Sequence, residues 1–375
     1  MSRPVWWELI GGDADSAARA GVLHTPSGDV ETPAFMPVGT QATVKGLVPD
    51  LVAATGAQML LANTYHLALR PGEDVIAELG GLHAVMSWNG PILTDSGGFQ
   101  VVSLADRVKI DDRAAVFRSH LDGSLLELTP ERAMSIQRKL GSDIAMCLDH
   151  CPTLPASDAA IASAVDRTID WAKRCREAGG SDVQGVFGIS QGGSNAELRD
   201  RCAQSLVALD FEGYAVGGVS VGENRDEVRA AVRLGVSSLP ADRVRYLMGV
   251  GRPEDLIDSV AQGIDLFDCV LPTRNGRNAH CLTARGVVKL RNACYKVDRG
   301  PIEAGCPCLA CVRFSRGAIR HFFLAGEMLG PILASLHNLT YIQRLLRGMR
   351  EAILTRRFAR FQAETLEALR PRRLD

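Results

Sequence analysis

L-F-D-C-V-L-P-T-R-N-G-R-N, residues 266–278, starts as a short apolar run, surfaces in the acidic Asp268 and passes into a loop carrying Arg274 and Arg277. Alone, Asp268 reads as a helix cap or a solvated strand end. Upstream the same form recurs: a short apolar run, a polar or glycine terminus, then a helix-like stretch. The runs are P-A-F-M-P-V-G (33–39), Q-M-L-L-A-N-T-Y (58–65), P-I-L-T-D-S-G (91–97), D-I-A-M-C-L-D (143–149), G-V-F-G-I-S-Q (185–191), G-Y-A-V-G-G (213–218) and R-Y-L-M-G-V (245–250), with D-L-F-D-C-V-L (265–271) as the eighth. Eight buried strands alternating with helices predict an α/β fold of the (β/α)8 TIM-barrel type rather than an open doubly wound sheet.

Helix signals fall between the runs. Ser157-Asp158 opens a helix ending at Gly179-Gly180, and Pro253-Glu254-Asp255 opens another that stops at Gly263. Residues 101–142 are too long for one helix; F-R-S-H-L-D-G-S-L-L-E-L reads as a hairpin insertion turning at Asp122-Gly123, with a helix after Thr129-Pro130. We expect a barrel with its catalytic rim over residues 1–273. Residues 274–375, which hold the closely spaced Cys306, Cys308 and Cys311 and an excess of Lys and Arg, are expected to form a zinc-binding, basic helical subdomain packed on it, the two making one integrated catalytic unit.

The barrel collects scattered residues. Asp95, Asp149, Gln191, Gly217, Gly218, Met248 and Asp268 all fall at or just past the C-terminal ends of strands, which converge on the rim where barrels build active sites. One polar residue there is ordinarily a helix cap. Three carboxylates and an amide on one rim are better explained by a site, with Asp268 its nucleophile.

Composition excludes other classes. Hydrophobic residues at 46% and charged residues at 23% are those of a globular protein, and no apolar run approaches a membrane span, so a cytoplasmic location is expected. The net charge of −1 hides an asymmetry: residues 274–375 hold 19 Lys and Arg against 7 Asp and Glu, a net of +12 that leaves −13 upstream. A basic C-terminal quarter suits a polyanionic partner. Among ten cysteines, Cys306, Cys308 and Cys311 form C-x-C-x2-C, and His337 follows. Three thiolates and one imidazole complete a tetrahedral Zn2+ shell with no open position, hence a structural site. By spacing, His321 serves as fourth ligand as well as His337 does. The intervening F-S-R-G-A-I-R-H-F-F-L-A-G-E-M-L-G is read as helical.

T-D-S-G-G-F-Q (94–100), L-L-A-N-T-Y-H-L (60–67), Y-A-V-G-G (214–218), Y-L-M-G-V-G (246–251), F-D-C-V-L-P-T-R (267–274) and the cysteine cluster together resemble the tRNA-guanine transglycosylases, over residues from about 20 to 360. That family has a (β/α)8 barrel with a zinc subdomain and exchanges guanine at the wobble position of certain tRNAs for a 7-deazaguanine. By position, the resemblance implies Asp268 as nucleophile and Asp95 as general acid and base. It implies Asp149, Gln191 and Gly218 as base-recognition residues, with Phe99 and Met248 as stacking faces. It selects His337 over His321 as the ligand joining Cys306, Cys308 and Cys311, and implies Arg274 and Arg277 as anticodon-loop contacts. Cys151 and Val221 match the bacterial type, which inserts 7-aminomethyl-7-deazaguanine, rather than the eukaryotic type, which takes queuine. His150, Ser190 and N-G-R-N-A-H (275–280) depart from the usual pattern. The resemblance also implies a homodimer acting on tRNA, with guanine and a 7-deazaguanine as its bases.

The residue types fit that chemistry. Base exchange at an unchanged sugar with retention calls for two displacements, as in retaining glycosidases, and a carboxylate suits the covalent step. Asp95 lies in a glycine-rich turn expected to let substrate approach. Asp149 can accept from guanine N1 and N2, while Gln191 and the Gly218 N–H donate to O6. The arginines at 344, 347, 350, 356, 357 and 360 are candidates for holding the RNA stem. Two other classes compete: a non-catalytic tRNA-binding partner subunit, disfavoured by the three carboxylates together, and a barrel glycoside hydrolase, disfavoured by the zinc cluster and basic region.

Overall fold

A computed structural model describes residues 3–98, 108–119, 123–152, 156–179, 182–219 and 224–370. Strands β1 (Trp6–Gly12), β2 (Arg19–Thr25) and β3 (Gly28–Thr32) form an antiparallel sheet before the barrel begins. The next strands are β4 (Ala34–Met36), β5 (Val38–Gly39), β6 (Leu60–Ala62) and β7 (Ile92–Thr94). The insertion supplies β8 (Val108–Ile110), β9 (Ala115–Arg118) and β10 (Leu125–Leu128). The barrel resumes with β11 (Ile144–Met146), β12 (Gly185–Ser190), β13 (Gly213–Val216), β14 (Val244–Leu247) and β15 (Leu266–Asp268); β16 (His280–Thr283) and β17 (Gly286–Lys289) make a later hairpin.

Nine segments pair in the order β4-β15-β14-β13-β12-β11-β7-β6-β5, every pair parallel. β4 and β5 flank Pro37, which has no N–H to give the ladder. Taken as one interrupted strand they return the sheet to its start, and the eight expected runs close into a barrel. The insertion is an antiparallel sheet in the order β10-β9-β8, one strand more than the hairpin expected from sequence; its turn at Asp122 lies outside the described residues. The helices Pro130–Leu140, Asp158–Ala178 and Pro253–Ala261 start where Thr129, Ser157 and Pro253 signal, the first two capped by the Thr129 and Ser157 hydroxyls.

Strand alternation sorts the core. Leu61, Leu93, Ile144, Met146, Phe187, Ile189, Ala215, Tyr246 and Leu266 fill the ring, while Phe35 and Phe267 face outward to the helices. Val5, Trp7, Leu23 and Val30 of the N-terminal segment join the inner cluster. That sheet was not foreseen, because the exposed Trp6, Leu9 and Ile10 blur the alternation of β1. It is tied down by Arg19, which donates to both oxygens of buried Asp265 at 2.9 and 2.6 Å, a bidentate pair.

After β15 the chain enters a helix, Leu271–Arg277, where a loop was expected; Pro272 occupies its first turn. The stretch read as one helix before His337 is two, Arg316–Leu324 and Leu329–Leu354, broken at Gly326 with φ +73°. The second, 26 residues long, runs back along the barrel: Gln343 donates to the Phe35 carbonyl, and Arg350 to those of Gly21 and Thr32. Among the described residues, no helix is long and apolar enough to cross a membrane.

Candidate active site

The alternation that fills the barrel also aims the rim. Asp95, Gln191, Met248 and Asp268 each stand two residues beyond an inward-facing residue, namely Leu93, Ile189, Tyr246 and Leu266. Each therefore continues the inner face at the C-terminal mouth.

Asp268 Oδ1 accepts from the Tyr246 hydroxyl at 2.7 Å and from the Gly249 N–H at 2.8 Å. Burial pushes its pKa up against both bonds, yet the residue keeps some exposure at the mouth. Tyr246 is held well above the usual tyrosine range by burial and by the Asp268 charge, so its hydroxyl stays a donor. Asp95 accepts from the Thr64 N–H at 2.8 Å on one oxygen and from Asn63 Nδ2 on the other. Burial outweighs these bonds and, with the nearby charge of Asp268, raises its pKa to about 7. The rim thus pairs two carboxyl groups, one of them holding a proton near neutrality.

Asp149 is buried at 4% exposure, so any partner it takes must come inside the pocket. It accepts from Ser96 Oγ at 3.0 Å and from Gln191 Nε2 at 2.7 Å, and burial raises its pKa. Gln191 Oε1 is buried and unpaired among the described residues. The neighbouring glycines are steric requirements: a Cβ on Gly98 would stand 2.3 Å from Asp149 Oδ1, and one on Gly218 (φ +64°) would stand 2.5 Å from Gln191 Oε1. The turn after Asp95, expected to admit substrate, thus makes room for Asp149. Cys151 is buried beside it, Met248 lies half-buried on the inner core, and Phe99 and Val221 fall outside the described residues.

His150 does not join the rim acids. Its Nδ1 accepts from Arg167 at 3.0 Å, and burial with the Arg167 charge pushes its pKa down to about 4, so the ring is neutral. Ser190 closes β12 and is buried.

Farther along, the Sγ atoms of Cys306, Cys308 and Cys311 and one His337 ring nitrogen lie within 4.8 Å of one another. His337 Nδ1 is 3.6, 3.6 and 3.3 Å from the three sulfurs, while Nε2 donates to the Leu282 carbonyl at 2.8 Å. That bond fixes the tautomer and leaves the Nδ1 lone pair facing the thiols, as a metal ligand requires. His321 is exposed on Arg316–Leu324 and lies outside this group.

The family profile described as "Queuine tRNA-ribosyltransferase" matches residues 13–371. The chain belongs to the queuine tRNA-ribosyltransferase family. Relatives bearing that name include one from Ruegeria sp. (strain TM1040), 50% identical over 349 residues and 93% of each chain. Another, from Lysinibacillus sphaericus (strain C3-41), is 49% identical over 369 residues, covering 98% of this chain and 97% of its own. A third, from Symbiobacterium thermophilum, is 50% identical over 364 residues, covering 97% and 91%. The protein is accordingly a transferase of that family.

The resemblance did not single out Tyr246, Asn63 or Ser96, although all three lie inside the quoted family motifs. Tyr246 could have been found by parity, two residues before Met248 on an inward-facing strand. Tyr246→Phe removes one bond to a charged oxygen, about 1.5–3 kcal/mol, and is expected to slow exchange by about 10–100-fold. A single-turnover rate within twofold of wild type would contradict this.

Of the arginines, Arg274 is exposed and Arg277 half-buried on Leu271–Arg277, with Arg277 Nη1 buried and unpaired among the described residues. Burial and the adjacent Arg274 charge push the Arg277 pKa down. Arg350, a candidate for the RNA stem, is buried and its guanidinium serves the fold; Arg344 pairs with Glu303 and Arg360 with Glu364.

Proposed function

We propose that this protein exchanges guanine at the wobble position of tRNA for a 7-deazaguanine, through a covalent enzyme–RNA intermediate, in queuosine synthesis. The observation that carries this reading is a rim that gathers Asp268, held by Tyr246 and Gly249, Asp95, whose pKa burial raises to about 7, and the buried Asp149–Gln191 pair.

In the first step the Asp268 carboxylate forms an ester to C1′ as the C1′–N9 bond breaks, and Asp95 gives its proton to the departing guanine. In the second, the incoming base returns a proton to Asp95 and displaces Asp268 from C1′. Tyr246 and Gly249 hold the nucleophile's Oδ1 and leave Oδ2 to react. Asp149 accepts from the base's N1 and N2, which requires the Gln191 amide to turn from Asp149 towards O6. Adenine would leave these buried groups unpaired, so discrimination is strong. The base must be flipped to reach them, and the family resemblance gives Met248 and Phe99 as the faces that stack on it. Arg274 and Arg277 offer the anticodon-loop phosphates guanidinium donors, one of which has no partner of its own.

The Cys3His set fits Zn2+: Cys306, Cys308, Cys311 and His337 would hold it, and the ion would tie the helix bearing His337 to the loop of Cys306 and Cys308. Residues 1–273 and 274–375 are read as barrel and zinc-binding part of one catalytic unit. Pairing of two copies rests on the resemblance alone; sedimentation tests it.

Incubation with substrate tRNA and labelled guanine tests the function: label should enter tRNA, with 7-aminomethyl-7-deazaguanine outcompeting queuine for the same site, as Cys151 and Val221 imply. Tight tRNA binding without incorporation would favour a non-catalytic partner subunit, and preference for queuine the eukaryotic-type reading.

Because Asp95 must begin protonated, adduct formation should fall as pH rises through about 7. Its low-pH limb follows the ionisation of Asp268, above the usual carboxylate range. A rate that holds or climbs to pH 9 would remove Asp95 as the acid.

A further inference from the structure

Behind the base-recognition residues lies a wholly buried guanidinium that neither sequence motif nor mechanism has used. Arg199, on the helix Ala196–Val207, is 0% exposed. Its Nε donates to the Gly193 carbonyl at 2.9 Å, and Nη1 to the carbonyls of Ser190 at 3.1 Å and Gly217 at 2.9 Å; Nη2 makes a longer contact with Gly218 at 3.5 Å. One planar fork thus spans the ends of two neighbouring barrel strands, those that deliver Gln191 and Gly218. An ammonium has donors for these oxygens, but not in a fixed plane.

The consequence follows from peptide geometry. In a trans peptide the C=O and N–H point in opposite directions. Holding the Gly217 carbonyl against Arg199 turns the Gly218 N–H away from the guanidinium, to the side opposite Arg199. Glycine at 217 and 218 removes the side chains that would otherwise steer this segment: a Cβ on Gly217 would meet Gln191 Nε2 at 2.6 Å. With so little of its own to set the orientation, the segment takes it from Arg199.

We infer that Arg199 is a positioning residue for base recognition, fixing the Gly217–Gly218 peptide so that its N–H meets the O6 carbonyl of the guanine-type base. This rests on the exchange reading above.

The test uses Arg199→Lys in the full chain, with Arg199→Met as a second variant, and 2-aminopurine, which lacks O6 and the N1 proton but keeps the 2-amino group, as the probe beside guanine. With wild type, guanine should bind far better than 2-aminopurine. In Arg199→Lys the KM for guanine should rise about tenfold or more, the loss expected for one bond in a buried site, while the 2-aminopurine inhibition constant, the KM for tRNA and metal content stay put. The guanine preference therefore falls by the same factor of about ten, leaving the part due to the N1–H bond to Asp149, a selective loss that a general loosening of the fold would not produce. An unchanged preference in a folded variant would overturn the inference. Unfolding of both variants would also overturn it, by making Arg199 a support of the fold alone. Failure of the exchange reading is distinguishable, since wild type would then incorporate no guanine.

Discussion

Asp268→Asn is expected to abolish exchange, with a loss of about 10^4-fold or more, because on the proposed mechanism the amide has no anionic oxygen to attack C1′, and Asp95 is committed to the proton. The amide keeps the shape of the carboxylate and can still accept from Tyr246 and Gly249 on its oxygen. Folding and tRNA binding should therefore survive. What disappears is the anion that stabilises a cationic sugar and then bonds to it. The measurement is incorporation of labelled guanine, together with the yield of protein–tRNA adduct after denaturation. An adduct of normal yield would remove Asp268 as nucleophile.

Cys308→Ala has the second large effect, on stability. Structural zinc in small fingers contributes about 10–16 kcal/mol of apparent folding free energy, and loss of one of four ligands gives up much of it. Here the Cys3His cluster includes His337, which sits on the same long helix as Gln343 and Arg350. Those residues bond to Phe35 in β4 and to Gly21 and Thr32 of the N-terminal sheet. Loosening the cluster therefore reaches the barrel wall. Elemental analysis should find about one zinc per chain in wild type and almost none in the variant, and the thermal midpoint should fall by more than about 5 °C. Unchanged metal content would sink the zinc assignment.

Much of this architecture was legible because the barrel repeats one pattern. Each of the eight apolar runs contains a barrel strand, and at Asp95, Gln191 and Asp268 period-two alternation carries the inner face to a polar residue on the rim. Three things were not legible. β1 to β3 lack clean alternation, and their partners Asp265 and Arg350 lie more than 200 residues away. The helix Leu271–Arg277 contains Pro272 and Gly276, both poor helix formers; a Cβ on Gly276 would approach the Ser335 backbone to 2.6 Å, so packing on the long helix explains it. Tyr246, Asn63 and Ser96 act through partners distant in sequence, a relation visible only once strands are neighbours. The histidine ligand shows the opposite case: spacing left His321 and His337 open, resemblance chose His337, and the buried ring with its Leu282 bond supplies the physical reason.

Central to this account is a double displacement in which Asp268 carries the RNA between bases. The most direct test loads wild-type protein with substrate tRNA labelled in the wobble guanine and adds no acceptor base. Double displacement predicts a burst of free guanine matched one for one by covalent protein–tRNA adduct, which then clears when 7-aminomethyl-7-deazaguanine is supplied. Guanine released only after the acceptor arrives, with no adduct at any time, would contradict it.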